Sequence, residues 1–63
     1  MAKVVFSERV VDLPAGSTIQ EAVSVAGEHP DAFIFLIGGR PVPMDAVPPE
    51  DAEVRAMRVA SGG

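Results

Sequence analysis

An α+β fold is what this 63-residue sequence predicts: a mixed sheet of four to five strands with one helix packed on one face, in the order β-β-α-β-β-β. Three observations predict it. Two β-branched runs stand close together near the start, Lys3-Val4-Val5-Phe6-Ser7 and Arg9-Val10-Val11-Asp12-Leu13. A single stretch, Ile19 to Ala26, has helical periodicity. Three more apolar segments follow it, which is too much strand and too little helix for a bundle.

The two opening runs, separated by Ser7-Glu8, read as a hairpin. Pro14-Ala15-Gly16 ends the second strand. Thr18-Ile19-Gln20-Glu21 then has the spacing of a capping box, with Thr18 placed to accept from the backbone N–H of Glu21. Ile19, Ala22, Val23 and Ala26 make one apolar stripe, while Gln20, Glu21 and Ser24 face water. Gly27 is the expected stop, because it adopts a left-handed conformation without a Cβ clash, and Pro30 blocks continuation. After the loop Glu28-His29-Pro30-Asp31, Phe33-Ile34-Phe35-Leu36-Ile37 reads as a continuous apolar strand, buried on both faces or exposing one to a partner, and ended by Gly38-Gly39. The proline of Arg40-Pro41-Val42 restricts that short strand to an edge. Pro43 to Asp51 reads as a loop with Val47 as its apolar anchor, and the last strand runs from Glu53 to Val59.

The chain contains no cysteine, and 48% of its residues are hydrophobic, so burial has to supply nearly all of the stability. So small a body argues against an enclosed substrate cavity, and therefore against an enzyme. The net charge is −4, with Arg9, Arg40, Arg55 and Arg58 scattered among carboxylates along the sequence. This disfavours direct nucleic-acid binding and suits a basic protein surface. The longest apolar run, Ala32 to Ile37, is far too short to span a bilayer, and no targeting segment is visible, so the expected location is cytoplasmic.

Leu13-Pro14-Ala15-Gly16-Ser17-Thr18 leads into the helix, Gly38-Gly39-Arg40-Pro41-Val42-Pro43 follows the central strand, and Arg58-Val59-Ala60-Ser61-Gly62-Gly63 closes the sequence. With these pieces, its length and its element order, the chain resembles, essentially end to end, the ubiquitin-like β-grasp sulfur carriers and modifiers. The likeness is to ThiS, MoaD and especially the small archaeal modifier proteins. The resemblance implies a β-grasp domain over residues 1–59, a flexible diglycine tail over 60–63 and a monomer when free. One departure is Pro49-Glu50-Asp51-Ala52 in place of the Asp-Gly turn common in ThiS, which weakens thiamine synthesis as the pathway.

The tail has a chemistry of its own. A terminal carboxylate is a poor electrophile until it gains a leaving group, and glycines can thread a confined channel. Four residues after Val59 reach about 13 to 14 Å when extended, at roughly 3.3 to 3.6 Å per residue. By resemblance, a ubiquitin-activating-type adenylating enzyme, using its own ATP and Mg²⁺, would form a Gly63 acyl-adenylate next to Gly62. A sulfur donor would turn this into a thiocarboxylate for a sulfur-accepting enzyme in tRNA thiolation, molybdopterin or thiamine synthesis. A target lysine would turn it into an isopeptide. The competing reading is a β-grasp interaction module whose diglycine end is incidental.

Strand alternation suggests a partner surface. With Ile34 and Leu36 turned toward the helix, Phe33, Phe35 and Ile37 would lie on the open face beside Arg55, Met57 and Val59, continuing into Ala60 and Ser61. The family docks its activating enzyme through the equivalent face. A register shifted by one would instead bury the phenylalanines and expose Ile34 and Leu36. Lys3, the only lysine, is expected to face outward with Val5 and is the one possible side-chain acceptor for chains of this protein. His29 lacks companions for a metal site, Ser61 lacks a His/Asp partner, and Asp45, Glu50, Asp51 and Glu53 read as a solvated acidic segment.

Overall fold

The computed structural model describes residues 1–59. Within it the two opening runs pair as an antiparallel hairpin, β1 (Ala2–Val5) with β2 (Val10–Leu13). The connection is closed by Phe6 N–H donating to the Arg9 carbonyl at 2.8 Å. The helix α1 (Ile19–Val25) starts where the capping box places it. Glu21 N–H donates to Thr18 Oγ1 at 3.2 Å, and Thr18 N–H donates to Glu21 Oε1 at 2.8 Å. The next two exposed donors are satisfied by the long loop: Ile19 and Gln20 N–H donate to the carbonyls of Ala46 and Met44. All four donors at the start of the helix therefore have partners. Gly27, at φ +87°, follows the capping residue Ala26, as the sequence predicts.

The loop after the helix contains a single 3₁₀ turn, Pro30–Ala32, where the sequence suggests only irregular chain. Proline at its first position supplies the φ that such a turn needs. β3 (Phe33–Ile37) and β4 (Arg40–Val42) are joined by Gly38 and Gly39, both at positive φ (59° and 81°). That is the two-residue turn whose twist matches antiparallel strands. β5 (Glu53–Arg58) ends one residue earlier than expected, with Val59 N–H still donating to the Ala32 carbonyl at 3.0 Å.

The five strands form one mixed sheet in the order β2-β1-β5-β3-β4. β1 and β5 run parallel, and every other neighbour is antiparallel. One face is covered by α1 and the long loop. There Val4, Val54, Leu13, Phe35 and Ala56 pack with Ile19, Ala22 and Val23 of the helix in an all-apolar buried cluster.

Two sequence expectations are corrected here. Val47 is not the loop anchor: it is 54% exposed, while Pro48 is buried and Met44 and Ala46 pack against the core. These two residues are also the ones whose carbonyls cap the helix, so the loop is held by the contacts that satisfy its backbone. The second correction concerns β3. Phe35 is 2% exposed, and Phe33 and Ile37 pack against the core, whereas Ile34 is 47% exposed. The strand is therefore shifted by one residue from the expected orientation. In register, Phe35 lies opposite Ala56, so a large side chain sits over a small one on the helix-covered side.

Candidate functional site

The open face follows from the strand registers. One row crosses all five strands: Val10, Val5, Arg55, Leu36 and Pro41, each opposite the next. On one side of it lies a charged row, Asp12, Lys3 and Glu53. On the other lies the pair Ile34 and Met57, 47% and 52% exposed. The face therefore grades from charged to apolar, and its apolar end lies along β5 next to the residues that lead into Ala60.

Of the residues expected on this face, Arg55 and Met57 are there and exposed, and Lys3 is exposed in the same plane as half-buried Val5. Phe33, Phe35 and Ile37 are not: their place is taken by Ile34 and Leu36, joined by Val5 and Val10. Val59 is half-buried at the end of β5. Ala60, Ser61, Gly62 and Gly63 lie outside the described residues. The clue to Ile34 and Leu36 is volume. β5 offers only Val54 and Ala56 beneath the helix, which leaves room there for Phe35.

A second feature was not apparent in the sequence. Three of the four arginines that look scattered along the chain converge in space: Arg9, Arg55 and Arg58 line one groove of about 570 Å³ between the β1–β2 connection and the end of β5. Arg9 Nη2 donates to the Ala26 carbonyl at 2.8 Å and to Glu28 Oε2 at 3.0 Å, which ties the hairpin to the end of the helix. Its guanidinium lies 5.7 Å from the Phe6 ring centre, and that of Arg58 lies 5.1 Å from the Phe33 ring centre. The two rings meet edge to face, with centres 5.2 Å apart. Stacking of this kind fixes a guanidinium while leaving its edge donors available.

Elsewhere, among the described residues, no three His, Asp or Glu side chains converge as metal ligands do, and no helix is long and apolar enough to cross a membrane. The carboxyl of Glu21 is held below its ordinary range by the backbone N–H and then the hydroxyl of Thr18. Asp51 is lowered by the α-amino group of Met1, which donates to it at 2.7 Å. Glu21 belongs to the helix cap, and Asp51 to an exposed ion pair with Met1. No protein-family model matches this chain, and no curated protein matches it.

Proposed function

We propose that this chain is a ubiquitin-like β-grasp carrier or modifier, held by its open sheet face and reacting through the carboxyl of Gly63. One observation supports this reading most strongly: the apolar end of the open face, Ile34 with Met57, lies on the part of β5 that leads into the diglycine sequence. A partner gripping that end would have the tail directed toward its own reaction centre, within the reach of about 13 to 14 Å that four extended residues give. Each of these side chains is already about half covered, so a partner that buries the rest adds about 0.7 to 1.5 kcal/mol of gross burial, half of the full-burial value. The five-stranded mixed sheet with one covering helix is compatible with the β-grasp, and the diglycine end and Gly-Arg-Pro-Val-Pro stretch point the same way.

In this reading an adenylating enzyme supplies ATP and Mg²⁺. A carboxylate oxygen of Gly63 attacks the α-phosphorus of ATP, pyrophosphate leaves, and an acyl-adenylate results. Sulfide (HS⁻) then adds to the carbonyl, expels AMP and gives up its proton, leaving a thiocarboxylate. A lysine amine does the same with loss of a proton, leaving an isopeptide. Lys3, exposed between Asp12 and Glu53, is the acceptor available for self-conjugation.

Intact mass spectrometry of the protein purified from its own host tests the proposal. The expected result is a Gly63 oxygen-to-sulfur exchange, a Gly63-to-lysine linkage in digests, or both. An unmodified carboxylate alone, under sulfur demand and under stress, would contradict it and favour a plain interaction module.

A further inference from the structure

The groove at the end of β5 contains an incomplete strand ladder. β1 stops pairing with β5 at Val5 opposite Arg55, whereas β3 continues along the other side to Phe33 opposite Arg58. Past the Ala56 N–H, which that last parallel bridge engages, residues 56–58 therefore have a strand on one side only among the described residues. That is an open edge of about 10 Å at roughly 3.3 Å per residue. Such an edge offers backbone donors and acceptors in strand geometry, the template for adding an extended peptide.

The groove runs along this edge. Its volume, about 570 Å³, falls in the range of roughly 300 to 1,000 Å³ typical of ligand clefts. The packed rings of Phe6 and Phe33 give it an apolar wall. Its charge runs against that of the chain. In a protein of net charge −4, three of the five basic residues line this groove, against Glu8 and Glu28, and Glu28 is already paired with Arg9. Arg55 and Arg58 form no ion pair among the described residues.

We propose that this groove binds an extended acidic segment of a partner protein, which adds as a strand to the 56–58 edge and places its carboxylates on Arg55 and Arg58. Because β5 side chains alternate between the two faces, Arg55 and Arg58 meet the segment from opposite sides of the sheet. The segment's carboxylates are accordingly expected on both of its faces. A nucleic-acid strand is the weaker candidate for the same arginines, since its charge density would meet an otherwise acidic surface. The proposal concerns the partner's recognition sequence and does not depend on the chemistry of Gly63.

The test uses the full chain, ¹⁵N-labelled, titrated with an eight-residue peptide of alternating Thr-Thr and Glu-Glu pairs, which puts glutamates on both faces of an extended strand. A matched threonine–lysine peptide and an eight-nucleotide oligothymidine serve as comparisons. The acidic peptide is expected to move the amide signals of Ala56, Met57 and Arg58, with an affinity that falls as salt rises. Arg58→Glu and Arg55→Glu should each weaken it ~10-fold or more, while Arg40→Glu, on β4 outside the groove, should change it less than ~2-fold. Arg58→Gln, which removes charge without reversing it, should fall between them. The proposal is overturned if about 1 mM acidic peptide leaves those amides unmoved, if the lysine peptide moves them equally, or if the oligonucleotide binds more tightly than the peptide. The peptide titration reports on the groove alone and the mass measurement at Gly63 on the tail alone, so failure of one reading is distinguishable from failure of the other.

Discussion

The two faces of the sheet are built from the same strands, yet they differ in what each side chain does. On the helix-covered face Val4, Val54 and Phe35 are 2% exposed or less, and no polar or charged residue is buried anywhere among the described residues. On the open face Val10, Ile34 and Met57 stay about half exposed and share the surface with Lys3, Glu53 and Arg55. One face therefore holds the domain together. The other keeps apolar area in water at little benefit to folding, and it is the surface proposed above for a partner.

The sharpest way to probe that division is to shorten neighbouring residues of β3. Phe35→Ala should cost about 3 to 5 kcal/mol in a denaturant titration, since the ring fills the space above Ala56. Ile34→Ala, one position away, should cost less than about 1 kcal/mol because it loses mainly the cross-strand contact with Met57. Equal costs would mean that the open face is structural after all. A smaller effect is expected at the β3–β4 turn. A Cβ at Gly39 would meet no atom within 4 Å, so the cost of Gly39→Ala is set by the backbone at φ +81°, about 1 to 2 kcal/mol.

The smallest effect concerns acid. The folded-state pKa of Glu21 lies below its unfolded value because Thr18 donates to the ionised carboxylate. The stabilisation is thus fully present at neutral pH and is lost as pH falls through the carboxylate range below the ordinary value of 4.5. Glu21→Gln should flatten that part of the stability–pH curve while leaving the alkaline side unchanged. Thermal unfolding between about pH 3 and 7 measures it.

Local signals were the ones legible in the sequence. Thr18 with Glu21, Gly27, and Gly38-Gly39 each specify a backbone geometry over a few residues, and each is found where the residues place it. β5 was legible because Val54 and Ala56 alternate with Glu53, Arg55 and Met57. β3 was not, because all five of its residues are apolar and a period of two cannot choose between its faces. The choice was made across the sheet, by the small side chains of β5. The arginine groove was hidden for a similar reason: Arg9 and Arg58 belong to opposite ends of the chain, and only the sheet order brings the β1–β2 connection beside the end of β5. On the open face Lys3, Arg55 and Met57 were legible, but Ile34 and Leu36 could be assigned only once the register of β3 was known.

The claim that the open face presents Gly63 to an activating enzyme is tested most directly by ATP–pyrophosphate exchange with an adenylating enzyme from the same host. Exchange should require Gly63, should fall ~10-fold or more in Ile34→Asp and Met57→Asp, and should be unaffected by Val25→Asp on the exposed side of the helix. Exchange that proceeds equally well with both open-face variants, or without Gly62 and Gly63, would contradict it.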